Sequence, residues 1–246
     1  MTIIRIWAAP LIAMLGAGTV NGANAESRPV IVLELFTSQG CSSCPPADAL
    51  LKRYIGREGV VAVSFPVDYW DRLGWKDTFA SAANTKRQYA YAAARGDGQV
   101  YTPQVVVNGG AHLVGSSAAR IDAAMAKAAE ALAKDAVALS IEDDGAAITV
   151  SVGAAVGSTA RRGKLLIGAV KPVGEVSIGA GENEGRKVAY HNVVRSLVEA
   201  GTWSGAASSV GVLKRELGWK PADSVIALLQ QDDGTIVGAA QLTAAP

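Results

Sequence analysis

Cys41 and Cys44 are the only cysteines of the 246-residue chain, and Ser42 and Ser43 separate them. Thiols at this spacing can form a disulfide, break it, or bind a soft metal. As a staple the pair is poorly placed: closing so short a loop stabilises a fold by only about 2 kcal/mol, against about 4.7 for a hundred-residue loop. Exchange suits it better. An apolar run, residues 29–37, precedes the pair, and Pro45-Pro46, residues tolerated near a helix start, follow it. The free N–H groups and dipole of a helix beginning there would favour a thiolate. Cys41 is expected at the exposed edge as the attacking sulfur, with Cys44 shielded one turn in as the resolving sulfur.

The elements that must hold this pair can be read from periodicity. Residues 29–37 and 60–68 are continuous apolar runs, the pattern of strands buried on both faces. Residues 45–56 have helical spacing and end at Gly56, and the Ala-rich stretch 75–94 reads as helix, in one or two pieces. Residues 102–110 form a strand entering an Asn-Gly turn, with 111–115 as its hairpin partner. Residues 116–135 form a long helix after a serine cap. Alternating strand and helix followed by a hairpin predicts an α/β layer fold for residues 28–134. From 136 to 246 the style changes. Residues 136–153, 163–179 and 224–243 alternate apolar and polar, two of them around Asp-Asp-Gly, and predict an all-β, sandwich-like second domain. Residues 187–201 fit both periodicities and are read as strand.

Compartment decides what thiols can do. Arg5, the apolar run 6–20 and Ala23-Asn24-Ala25 match a secretory signal, with cleavage near Ala25. The 15-residue run is short of the roughly 20 residues of a spanning helix. The expected mature chain is therefore periplasmic or secreted, without a stable membrane anchor. With 23 Lys and Arg against 22 Asp and Glu, it lacks the basic excess of a nucleic-acid binder.

Strand ends on one edge of an α/β sheet are where sites assemble. Asp68, Tyr69, Trp70 and Trp75, just beyond the second buried strand, are candidates to line a substrate groove beside Cys41. Glu34 stands inside an apolar run, where a carboxylate needs a partner or a task.

Strand, Cys-Ser-Ser-Cys, helix, and a later Thr102-Pro103 opening a strand resemble the thioredoxin fold. More closely, residues 33–48, 65–79, 100–109 and 181–205 resemble an exported thioredoxin-like family known as domain of unknown function 1223. The resemblance covers nearly the whole mature chain. It implies a cis peptide bond at Pro103, with Thr102 offering backbone polar groups to a bound peptide. It also implies that Glu34 serves as a buried proton acceptor for Cys44, although the connection from strand to motif is one residue longer here. The other reading of Glu34 is an acid paired with a structural arginine.

A structural zinc usually needs four protein ligands, and beyond the two thiols the chain has only His112 and His191. No metal is expected, although copper(I) could use two thiolates. Residues 179–187 lack the spacing of a phosphate loop and read as a glycine-rich hairpin. His191, Asn192 and Arg195 are assigned to structure. The expected function is thiol–disulfide exchange on exported proteins or small thiols, with a redox recycling partner and no cofactor beyond the Cys41–Cys44 disulfide. The alternatives are a redox-inert binding or scaffold module with a permanently closed disulfide, and a copper(I)-handling protein.

Overall fold

Every residue of β1 (Ile31–Thr37) is buried, because layers cover both faces of the sheet in which it lies centrally. A computed structural model describes residues 29–155, 162–220 and 223–243, so the signal-like segment 1–25 lies outside the described residues. The first half runs β1, α1 (Pro45–Leu51), β2 (Val60–Pro66), α2 (Ala82–Arg95), β3 (Gln104–Val107), β4 (His112–Val114), α3 (Ala118–Leu132). The second half supplies β5 (Leu139–Asp143), β6 (Ala147–Val152), β7 (Gly163–Ser177), β8 (Lys187–Trp203), β9 (Ser208–Leu213), β10 (Ser224–Gln230) and β11 (Ile236–Leu242). Among the described residues no helix is long and apolar enough to cross a membrane.

Eight strands form one mixed sheet in the order β11-β10-β7-β8-β2-β1-β3-β4, and β5-β6-β9 form a second, three-stranded sheet. β1 runs parallel to β2 and antiparallel to β3. Alternation along β1 sends Ile31, Leu33 and Leu35 into a core shared with Leu51, Ile121 and the small sheet's Ile148 and Val150. Val32 and Phe36 point the other way, towards Tyr91 of α2. The chain is therefore a mixed α/β fold, with a large central sheet covered by three helices and a small sheet.

That sheet runs straight through the expected boundary at residues 135–136. β8 lies beside β2, parallel to it, with Ser64 opposite Val193. The join is stitched by side chains. Buried Asn192, at φ 47°, donates from Nδ2 to the Ala62 carbonyl at 2.9 Å. Asn108, at φ 46° in the β3–β4 turn, accepts from Val32 N at 3.0 Å and donates to the Ile236 carbonyl at 3.1 Å. Asparagine tolerates the left-handed region better than most residues and carries a donor and an acceptor.

Local differences from the expected elements have local causes. α1 stops at Leu51, and the chain continues to Gly56 through tight turns, with Tyr54 N bonding Leu51 O. The helix expected over 75–94 begins at Ala82, because Asp77 Oδ1 accepts from Phe79 N and Ala80 N and Ser81 Oγ then caps the helix. Residues 163–179 carry a single 15-residue strand that pairs with β8, with register shifts at Leu165/Leu166 and Ala169/Val170. Residues 187–201 lie in β8, as strand.

Candidate functional site: the Cys41–Cys44 corner

Beyond Thr37 the chain leaves the sheet and turns into α1, and the two sulfurs are joined in a disulfide within this turn. Cys41 N bonds Ser38 O at 3.2 Å and Cys44 N bonds Cys41 O at 3.1 Å, which sets the two Cα atoms 5.4 Å apart. The ladder between β1 and β3 ends at Phe36–Gln104, so Thr102-Pro103 continues beside the start of this loop. The Thr102–Pro103 peptide bond is cis. Trp70 Nε1 donates to Thr102 Oγ1 at 2.8 Å, and a Cβ on Gly40 would meet Trp70 Cβ at 3.0 Å. Trp70 therefore bridges the cysteine loop and the proline loop.

Cys41 is 1% exposed and Cys44 0%. This corrects the expected exposed position of Cys41, and the reason lies in the second half of the chain. The β7–β8 connection, residues 178–186, folds over the loop. Asn183 Nδ2 donates to Gln39 O at 2.9 Å and to Cys41 O at 2.8 Å, while Ser42 N donates to Glu182 Oε2 at 3.1 Å. The Ser42 bonds hold the Glu182 carboxyl below its usual range. Ser42 and Ser43 remain exposed, and Ser43 Oγ lies 3.4 Å from Cys41 Sγ.

The aromatic motif also contacts the loop. Trp75 Nε1 donates to Gln39 Oε1 at 2.8 Å, and its ring packs against Gly179 of the covering segment. Gln39 is a hub: its N–H donates to Asp77 Oδ2 at 2.7 Å and its side-chain amide to Thr78 Oγ1 at 3.0 Å. Asp68 faces elsewhere, accepting from Thr85 Oγ1 of α2 at 2.6 Å. Tyr69 is half-buried against Trp70, and burial pushes its phenol up. Of the four groove candidates, Trp70 and Trp75 touch the cysteine and proline loops, and Asp68 serves α2.

Glu34, expected beside Cys44, is engaged elsewhere. It is 0% exposed, accepts from Arg87 Nε at 2.7 Å, and accepts a hydrogen bond from the Tyr91 hydroxyl. Both partners stand on α2. Residue 34 shares the Val32–Phe36 face, whereas α1 packs on the other. The strand's parity of two decides the matter.

A model of the family described as protein of unknown function (DUF1223) matches residues 32–230. The chain belongs to that family. A crystal structure of an Agrobacterium tumefaciens protein is similar to this DUF1223 chain at 33% identity and TM-score 0.76, covering 88% of this chain and 96% of that one. HBP35 of Porphyromonas gingivalis is similar at 13% identity and TM-score 0.63, covering 88% and 76%; at that identity the likeness is one of fold alone. No curated protein matches the sequence.

In this DUF1223 chain the sequence reading missed two groups at the corner. One is the covering pair Glu182–Asn183, whose signal was the polar tip of a glycine-rich turn. The other is Asp48 of α1, 3% exposed, with neither carboxyl oxygen hydrogen-bonded. Burial pushes its carboxyl up to about 8; the nearby Thr37 hydroxyl, which lies close but outside hydrogen-bonding geometry, opposes this, and the Asp77 charge adds to it. A carboxyl at helical spacing from Cys44, within an otherwise apolar helix face, was its signal. The histidines lie apart: His112 on β4 bonds Asp97 and Tyr101, and His191 on β8 is separated from it by three strands. Among the described residues no three His, Cys, Asp or Glu side chains gather where they could hold a metal.

Proposed function

We propose that this protein is a thioredoxin-like thiol–disulfide oxidoreductase of an oxidising compartment, acting on exported proteins or small thiols and served by a redox recycling partner. The observation that carries the reading is a disulfide at a strand–helix corner, in a loop that Trp70 joins to the Thr102–Pro103 loop. The layout β2-β1-β3-β4, with β1 parallel to β2 and antiparallel to β3, supports a thioredoxin-like first half. A β-rich C-terminal part then serves as a scaffold that covers the corner. The short ring makes a weak staple, which favours exchange over stability as its use.

A second reading is a redox-inert module, favoured by one observation: both sulfurs are buried under the 178–186 segment. The reduction potential separates the two. A catalyst would fall between about −120 and −270 mV, whereas a structural bond lies below about −300 mV. Catalysed reduction of insulin by dithiothreitol is the accompanying activity assay. A potential in the catalytic range with no partner trapped by Cys44→Ser in cell extracts would confine the reading to small thiols.

A further inference from the structure

We infer that Asp48 is the proton-transfer group of the cysteine pair, giving its carboxyl proton to the Cys44 sulfur when the disulfide opens and taking it back when the disulfide closes. This rests on the redox reading above. The geometry begins with helical spacing. Asp48 N bonds Cys44 O at 3.1 Å, so the two residues are one turn apart on the same face of α1. Side chains at this spacing have Cβ atoms about 5–6 Å apart. Both are buried, Cys44 at 0% and Asp48 at 3% exposed, and a thiolate leaving at such a site needs a proton.

Asp48 does not do the usual work of an acid in a first helical turn. It caps no N–H group, and neither oxygen has a hydrogen-bond partner. Around it stand the Thr37 hydroxyl of β1, Asp77 of the segment before α2, and the Tyr190 hydroxyl of β8. Thr37 Oγ1 and Tyr190 Oη are also buried and unpartnered. Asp77 is saturated by the N–H groups of Gln39, Phe79 and Ala80. Lys52 stands beside His191, whose imidazole burial lowers, and Glu182 sits on Ser42. An unpartnered carboxyl without a counter-ion holds its proton near neutrality. A purely structural role is poorly served by such a group, because an apolar side chain would fill the space at less cost.

The chemistry balances. A thiolate of a reducing dithiol attacks Cys41 Sγ, the S–S bond breaks, and its electron pair leaves on Cys44 Sγ. Asp48 protonates that sulfur and becomes a carboxylate. The second thiolate of the reductant then displaces Cys41, so two electrons pass from the dithiol to the pair. In reverse, the Asp48 carboxylate removes the Cys44 thiol proton, and the new thiolate attacks Cys41 in the mixed disulfide.

The test follows reduction of the intact disulfide by excess dithiothreitol, and alkylation of Cys44 in Cys41→Ser, at pH values on either side of 8, in the presence and absence of Asp48→Asn. Asp48→Asn should slow reduction about 100-fold below pH 8, the low end of what general acid catalysis contributes. It should also turn a two-step Cys44 titration, as coupled groups give, into a single step. Superimposable profiles would overturn the inference and leave the redox reading standing. A wild-type disulfide that resists dithiothreitol while folded would overturn the redox reading, and the inference with it. Should Asp48→Asn fail to fold, the infrared difference spectrum of the unaltered protein on reduction decides: a shifting protonated-carboxyl band supports the inference, and a silent carboxyl region overturns it.

Discussion

Glu34 and Asp48 are both buried carboxyl groups, and their neighbours set them to different work. Glu34 faces a guanidinium and a phenol, so Glu34→Gln strands the Arg87 charge inside the fold. The expected cost is about 3–5 kcal/mol in urea unfolding, as for a broken buried ion pair. The pH profile of Cys44 alkylation should stay unchanged, because α2 and α1 lie on opposite faces of the sheet. Asp48 behaves in the opposite sense. Its folded-state proton affinity is raised from 3.8 to about 8, mainly by burial. Between those values the folded chain holds a proton that the unfolded chain has released, so stability falls as pH rises through the window. At about 1.4 kcal/mol per unit, the loss amounts to several kcal/mol. Asp48→Asn should flatten the dependence of urea midpoint on pH between 4 and 8, which a set of denaturation curves would reveal.

At the scale of elements, the decisive piece is the connection between two long strands. β7 and β8 continue beyond the residues paired with β10 and β2 as a two-stranded ribbon whose tip, residues 178–186, lies on the cysteine loop. Its hold is small and specific: one asparagine amide on two carbonyls, one carboxylate on one N–H, and a tryptophan under a glycine. Asn183→Ala removes donors from two buried carbonyls, at about 1–3 kcal/mol. Because 1.4 kcal/mol corresponds to a factor of ten in an opening equilibrium, reduction by dithiothreitol should accelerate about tenfold or more. Global stability should change less, since Asn183 itself lies in neither apolar core cluster. Stopped-flow reduction beside a thermal melt separates the two effects, and an unchanged reduction rate would mean that the cover does not limit access.

Taken as a whole, the molecule is organised by a sheet that ignores the change of sequence style near residue 135. Eight strands share one hydrogen-bonded surface, and the join at β2–β8 relies on Asn192 as much as on the backbone ladder. A continuous sheet with a shared core predicts one cooperative unfolding transition by fluorescence and far-ultraviolet dichroism together. Two separated transitions would restore the two-domain division at 135–136. In Asn192→Ala the buried Ala62 carbonyl loses its donor, and the single transition should move by about 1–3 kcal/mol.

Local order was written plainly in the chain. Apolar runs specified β1 and β2, the Ala-rich stretch marked α2 although not its start, and Asn108-Gly109 turned the hairpin, because each depends on neighbours a few residues away. The cysteine pair was equally legible, since its spacing is its chemistry. Only the tertiary fold decided which face of β1 carried Glu34, which strand of the second half met β2, and what covered Cys41. Those outcomes depend on contacts such as Asn183 to Cys41, 142 positions apart, and no local pattern records the partner of a side chain that distant. Asp48 belongs to both levels: its helical spacing from Cys44 was visible, but its burial without a partner was not.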